Sequence, residues 1–172
     1  MFGRVSPGST VSSVFMTKIP LRRITARALP IDDEDRVLLL HGFDPARPEQ
    51  PFWFTIGGAM EDGETLQEAA ARELHEEVGI RATADDFTGP YGTSTIDFFF
   101  AQYAITQDQT FFAIRVGANA AVSFEHMEQI EKDTTTAHRW WSVEELENTQ
   151  EVFFPEDLAV ILRKVIAGGE FE

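Results

Sequence analysis

Residues 58–80 read GAMEDGETLQEAAARELHEEVGI, and this stretch predicts the element around which the rest of the fold is arranged. Between residues 65 and 78 the apolar side chains recur every three or four positions, which is the spacing of an amphipathic helix. Gly79 follows directly, at the position where a helix commonly ends in the left-handed conformation. The pattern therefore predicts a helix over residues 65–78 that buries one face.

Three glutamates of this helix lie beside its apolar face. On a helical wheel of about 100° per residue, Glu73 and Glu76 border the apolar stripe, and Glu77 falls inside it. Glu73 and Glu77 are one turn apart, so their negative charges repel each other, and more strongly when partly buried. Carboxylate oxygens at this spacing suit Mg²⁺, or alternatively Mn²⁺, which also bind substrate phosphates. A solvated glutamate-rich face is the alternative that the helix alone leaves open.

Outside this helix the pattern is mainly that of strands. Before the helix, the pattern predicts a hairpin of residues 21–29 and 36–43 around the acidic run 32–35, and a strand over residues 52–56 that ends at Gly57. After the helix, it predicts a second hairpin whose turn is residues 107–109; the strands of this hairpin are apolar on both faces and hence interior. An irregular stretch over residues 117–137, a strand over residues 138–142, a short helix over residues 143–147 and a last helix over residues 155–167, opened by Pro155, complete the chain. Strands with helices in the middle and at the end predict an α/β/α sandwich.

The composition is that of a protein without disulfides or a long basic surface. The chain has 172 residues, no cysteine and a formal net charge of −15, which disfavours binding to long nucleic acids. No apolar run is long enough to span a membrane, and we expect a cytoplasmic protein. Residues 1–18 are rich in Ser, Gly and Thr and are predicted to form a flexible N-terminal arm, followed by a single domain over residues 19–172.

The spacing around the helix resembles the signature of the Nudix hydrolases. The matching positions are Gly58, Glu64, Arg72-Glu73-Leu74, Glu76-Glu77 and Gly79-Ile80, which fill every defined position of the 23-residue box of that family. The resemblance implies an α/β/α sandwich with a mixed β-sheet and a catalytic loop-helix-loop. It also implies divalent-metal-dependent hydrolysis of a diphosphate bond in a nucleoside diphosphate linked to another moiety, such as a nucleotide sugar, an ADP-ribose-like compound or a nucleoside triphosphate.

The resemblance assigns roles to five side chains of the box. Glu73 and Glu77 match the glutamates that usually bind the metal ion. Glu76 matches a residue that binds a further ion or takes part in activating water. Arg72 is expected to hold these carboxylates by ion pairing, and Glu64 to support the loop.

Two further sets of metal or catalytic groups follow from the same resemblance. The backbone carbonyl of Gly57 is often an additional metal ligand in the family. Members also often draw a further glutamate from a loop before the last strand, where Glu125, Glu128 and Glu131 are the candidates and the two nearer the strand are preferred.

The substrate and the assembly state are left open by the sequence. Trp53, Phe54, Trp140 and Trp141 are either stacking partners for a base or core residues, and Arg22, Arg23 and Arg115 either contact phosphate or form ion pairs. A small-molecule nucleotide is the expected partner, and a homodimer is possible because many members form one. The alternative function is a non-catalytic nucleotide-binding regulator on the same fold, although such proteins usually lack glutamates of the box.

Overall fold

A mixed sheet of eight strands forms the centre of residues 17–100, 102–117 and 120–168, which are the residues described by the computed structural model. The strands are β1 (Ile19–Ile31), β2 (Val37–Asp44), β3 (Arg47–Phe54), β4 (Ile56–Ala59), β5 (Thr88–Phe100), β6 (Tyr103–Arg115), β7 (Thr135–Trp141) and β8 (Phe153–Phe154). Their order is β5-β6-β1-β2-β3-β8, with β4 also pairing with β1 and β7 with β2. β1 is parallel to β6 and β3 is parallel to β8, whereas the other pairs are antiparallel.

Helices pack against both faces of this sheet. They are α1 (Leu66–Val78), α2 (Gln129–Thr134), α3 (Val143–Asn148) and α4 (Leu158–Ala167), and a 3-10 turn lies at Ala84–Asp86. Successive side chains of a strand point to opposite faces, so Ala28 and Leu38 pack in the core under α1, whereas Leu29 and Leu39 pack in the core under α3 and α4. The predicted α/β/α sandwich with a mixed sheet is therefore confirmed.

The predicted central helix is confirmed with its ends. Thr65 is the N-cap, since its hydroxyl accepts a hydrogen bond from the Glu68 N–H while the Glu68 carboxylate accepts one from the Thr65 N–H. At the other end, Gly79 adopts φ 76° and donates its N–H to the His75 carbonyl. Both ends of α1 are thus determined by local sequence.

The predicted first hairpin is wrong beyond its turn. β1 and β2 pair only at Ile31 and Val37. β1 instead pairs in parallel with β6 along its whole length, from Ile19 opposite Tyr103 to Ile31 opposite Arg115. A partner so distant in sequence leaves no trace in the local hydrophobic pattern on which the prediction relied.

The second hairpin exists, but its predicted turn is wrong. Residues 107–109 lie in the middle of β6, and β5 and β6 are joined between Phe100 and Tyr103. The prediction of an interior position also fails near this end, because the side chain of Phe99 is 68% exposed. Gln107 and Gln109 resemble turn residues in sequence, yet both are buried in the structure.

Four other boundaries differ from the predictions. The predicted strand 52–56 is divided between β3, which ends at Phe54, and β4, which begins at Ile56 and runs through the double glycine, Gly57 and Gly58. The stretch 117–137, expected to be irregular, contains α2, and β7 begins at Thr135 and ends at Trp141. The short helix α3 is confirmed, whereas α4 begins at Leu158 because residues 155–157 form a turn in which the Leu158 N–H donates to the Pro155 carbonyl.

The predicted flexible arm, residues 1–18, lies outside the described residues apart from Thr17 and Lys18, so it stays a prediction. None of the helices between residues 17 and 168 that the structure describes has the length and apolarity needed to cross a membrane.

Candidate active site

Two glutamates of the box, Glu73 and Glu76, lie at a cavity between α1, β4 and the segment 126–131. The cavity has a volume of about 460 Å³ and is lined by Arg23, Gly57, Gly58, Glu73, Glu76 and Glu131, among others. A larger cavity of about 600 Å³ near Tyr91 and Val165 contains none of the predicted site residues apart from Arg115. The structure therefore places Arg72, Glu73 and Glu76 at the smaller cavity, whereas Glu64 and Glu77 are not part of its lining and are bound to Arg72 and to the Gly57 N–H.

Glu77 is held against the double glycine inside the protein. The residue is only 7% exposed, and its Oε2 accepts a hydrogen bond of 2.9 Å from the Gly57 N–H. Burial raises the pKa of Glu77 to about 8, and repulsion from Glu73 adds to this effect, while the Gly57 N–H and the Arg27 charge oppose it. The ionised form of Glu77 is consequently costly unless a cation lies nearby.

Arg72 uses all five of its N–H groups within the site. Its Nε and Nη2 donate to the two carboxylate oxygens of Glu64 at 2.7 and 3.0 Å, and Nη2 also donates to the Ala59 carbonyl at 2.9 Å. Its Nη1 donates to Glu73 at 2.8 Å and to Glu76 at 3.2 Å. A guanidinium has five N–H donors, so Arg72 is saturated, and the hydrogen bond with Arg72 is the main cause that lowers the pKa of Glu64.

Glu73 lies against Gly58, where only a glycine leaves room for it. A Cβ atom at position 58 would stand 2.6 Å from the Glu73 carboxyl carbon. Burial raises the pKa of Glu73, and the hydrogen bond and charge of Arg72 counteract this rise. The glycine of the box thus serves close approach between β4 and α1.

The segment before β7 brings two of the three candidate glutamates to the cavity. Glu128 and Glu131 line it, whereas Glu125 is exposed and does not. Burial raises the pKa of Glu131, with the charges of Glu128 and Glu76 adding to the rise. The segment is held to α1 by stacking of His126 on His75, whose ring centroids are 4.5 Å apart.

Sequence reasoning missed Arg27, which supports the loop from behind. Its Nη1 donates to the carbonyls of Thr55 and Gly57 at 3.3 and 3.0 Å, and its Nε donates to Gln109 at 3.1 Å. The Gly57 carbonyl, predicted as a metal ligand, is therefore bonded to a guanidinium in this structure. The available signal was an arginine between Ala26 and Ala28, since charged residues are rarely buried without a partner.

The donor set suits a hard divalent cation. Within the described ranges no group of three acidic or histidine side chains is arranged to hold a metal ion; Arg72 binds Glu73 and Glu76, and the Gly57 N–H binds Glu77. However, Glu73 and Glu77 are buried, and burial disfavours the ionised form of each. Oxygen donors whose cost of ionisation is only partly compensated by their protein partners fit Mg²⁺ or Mn²⁺.

Two of the four aromatic candidates are core residues. Trp53 and Trp141 are buried under α3 and α4, where their rings meet edge to face at 5.1 Å. Phe54 and Trp140 are half-buried on the α1 side of the sheet. The structure thus leaves only Phe54 and Trp140 of this set on the face that carries the glutamates.

Comparison with known proteins gives a consistent family match. The model of the NUDIX domain matches residues 21–164. The chain is 32% identical over 79 residues to a MutT-like protein of Streptomyces ambofaciens, covering 46% of this chain and 48% of that protein. It is 41% identical over 56 residues to the dihydroneopterin triphosphate diphosphatase of Escherichia coli K12, covering 33% of this chain and 35% of the enzyme. The matches span half or less of these curated relatives.

Solved structures show the same fold at low sequence identity. The MutT protein from Methanosarcina mazei Go1 matches with a TM-score of 0.59 and 20% identity, over 87% of this chain and 96% of that one. The dihydroneopterin triphosphate pyrophosphohydrolase of E. coli matches with a TM-score of 0.60 and 23% identity, over 87% of this chain and 99% of that one.

Proposed function

Because this chain belongs to the NUDIX domain family, we propose that it hydrolyses a diphosphate bond in a small nucleoside diphosphate derivative or nucleoside triphosphate, with a divalent metal ion. The observation that carries the proposal is the buried pair Glu73 and Glu77, one helical turn apart, of which Glu73 lines the cavity and is bound by Arg72, and Glu77 is bound by the Gly57 N–H. A structural role alone does not account for two buried carboxylates whose ionised forms are disfavoured.

Each residue of the site has a distinct task in this proposal. Glu73, Glu76 and Glu77 would hold the metal ion, with the Gly57 carbonyl as a further oxygen donor. When bound, the ion would neutralise charge on the phosphates and lower the pKa of a water molecule bound to it. Arg72 keeps Glu73 and Glu76 oriented, and Glu64 keeps Arg72 in place through its paired hydrogen bonds.

Glu131 is our choice as the base that accepts a proton from the attacking water. Its side chain lines the same cavity as Glu73 and Glu76, and burial raises its pKa, which favours uptake of a proton. Glu131→Gln should lower kcat about a hundredfold or more, because loss of a general base typically costs that much. The measurement is steady-state turnover at about pH 7.5, with Glu125→Gln, on the same segment but outside the cavity, as the matched control. Equal turnover of the two variants would exclude Glu131 from this role.

The substrate class rests on the family and on the relatives. The E. coli relative is a dihydroneopterin triphosphate diphosphatase, so a triphosphate on a fused-ring base belongs among the candidates. The net charge of −15 supports a small substrate brought in with a metal ion over a long nucleic acid. A homodimer and a cytoplasmic location stay predictions.

A substrate panel tests the proposed function directly. The protein is incubated with Mg²⁺ and, in turn, ADP-ribose, nucleotide sugars, dinucleoside polyphosphates, NADH, nucleoside and deoxynucleoside triphosphates and dihydroneopterin triphosphate, and the products are separated by chromatography. We expect cleavage of at least one compound that EDTA abolishes. Nucleotide binding without turnover of any compound, with Mg²⁺ or Mn²⁺, would instead support a non-catalytic regulator.

A further inference from the structure

Three arginines were candidates for a phosphate contact, and the structure separates them. Arg22 forms an ion pair with Asp108, with Nε and Oδ2 2.7 Å apart. Arg115 forms one with Asp35, with Nη1 and Oδ1 2.6 Å apart. Arg23 lines the cavity, and within the described part of the chain it forms neither a hydrogen bond through its side chain nor an ion pair. Only Arg23 combines a position at the site with an available guanidinium.

The Arg23 guanidinium matters because most of the charged side chains that line the cavity are carboxylates. Five carboxylates line the cavity: Glu61, Glu73, Glu76, Glu128 and Glu131. The other arginine in the lining, Arg72, has all five donors engaged, so it cannot bind a substrate oxygen without releasing a carboxylate or the Ala59 carbonyl. A polyphosphate would therefore meet mostly negative charge, apart from a bound metal ion and Arg23.

Arg23 is also placed on a rigid part of the fold. It is half-buried, and its backbone lies in β1 opposite Gln107 of β6. On the other edge of β1, two residues further along, Thr25 lies opposite Ala59 of β4. Pairing on both edges limits the movement of this part of the strand and sets the distance from the arginine to the double glycine.

From these observations we propose that Arg23 binds a non-bridging phosphate oxygen of the substrate's diphosphate and so determines its affinity. The inference rests on the proposed function, and it names a substrate contact outside the box. A guanidinium fork matches the geometry of phosphate oxygens and keeps its charge at all relevant pH values. Arg22, its neighbour on the opposite face of the strand, has its charge compensated by Asp108 and takes no part.

The test measures binding of magnesium pyrophosphate by isothermal titration calorimetry, together with KM and kcat for the best substrate of the panel. Arg23→Gln should weaken pyrophosphate binding about ten- to a hundredfold and raise KM in proportion, because a hydrogen bond to a charged group is worth that much. Arg23→Lys should recover part of the affinity, since it keeps the charge but not the fork. Arg22→Gln is the matched control and should stay within about twofold of the wild type, because an exposed ion pair contributes little.

The outcomes separate this inference from the proposed function. Pyrophosphate binding that depends on Arg23 in a protein that hydrolyses nothing would contradict the function and leave the Arg23 contact standing. An active protein in which Arg23→Gln and Arg22→Gln bind pyrophosphate equally would overturn the contact alone. A folded wild type that binds no magnesium pyrophosphate would overturn the contact, whereas the function is decided by the substrate panel. Far-ultraviolet circular dichroism of every variant verifies that each is folded.

Discussion

Glu77→Gln should abolish metal-dependent turnover and, in the metal-free protein at about pH 8, increase the free energy of unfolding. Both results are expected from the same burial. The amide oxygen of the introduced glutamine can still accept the hydrogen bond from the Gly57 N–H, so the contact that holds the loop is kept. The variant replaces the other carboxylate oxygen by an NH2 group and loses the negative charge, which the metal ion needs and the metal-free fold does not.

The pH dependence follows from the pKa of Glu77, which is 4.5 in its ordinary environment and about 8 in the folded protein. Between these values the folded state binds a proton that the unfolded state releases, so the stabilisation from this group is full below pH 4.5 and is lost as pH rises through 8. The loss is on the order of a few kcal/mol for a shift of this size. It should be absent in Glu77→Gln, and Mg²⁺ should offset it in the wild type by binding the ionised form.

Urea unfolding at about pH 5 and about pH 8, with EDTA and with Mg²⁺, measures these differences. Glu156→Gln, which changes an exposed glutamate just before α4, serves as the control for loss of one negative charge. The metal-ligand assignment of Glu77 is wrong if Glu77→Gln keeps near-normal turnover. The burial argument is wrong if the variant and the wild type lose stability equally between the two pH values.

Arg72→Gln should cost about 3 kcal/mol of unfolding free energy at neutral pH and remove most of the activity. The change leaves Glu64, Glu73 and Glu76 without their shared cation, and Glu73 is only 9% exposed. Removing one partner of a buried ion pair is costly because the remaining charges stay desolvated. Turnover falls as well, because the glutamates repel one another and no longer have a counterion that keeps their side chains oriented for metal binding.

Arg163→Gln is the matched control for Arg72→Gln. Arg163 also binds a carboxylate, that of Glu147, through both Nε and Nη2, but its side chain is 61% exposed. Its loss should cost less than about 1 kcal/mol, because solvent screens an exposed pair. Urea unfolding of both variants in EDTA checks the contrast, and similar midpoints would show that the Arg72 cluster adds nothing beyond surface ion pairs.

The sequence predicts best where the causes are local. The cap at Thr65, the left-handed residue Gly79 and the apolar stripe of α1 all act within a few residues of one another, and each has the expected form. The grouping of Glu73 and Glu77 follows from helical spacing alone. These elements determine most of the candidate site.

The parts that escaped prediction depend on contacts between distant segments. The role of Arg27 requires Gln109 and Gly57, which come from β6 and β4 and meet only in the folded protein. The predicted turn at Gln107 and Gln109 relied on the tendency of polar residues between apolar runs to form one. In the structure the amide of Gln109 is a buried acceptor for Arg27, a pairing that no local pattern reveals.

The double pairing of β1 has a consequence for the order in which the protein folds. Thr65 and Gly79 allow α1 to form early from its own sequence, but β1 must find β6 after a long intervening stretch of chain. Such nonlocal closure is slow, because chain entropy is lost before the contacts compensate for it. β4 pairs only with β1 among the described strands, so the double glycine takes its place no earlier than that strand does. During refolding, helical structure should therefore precede the competent site, which is assembled in one of the last steps.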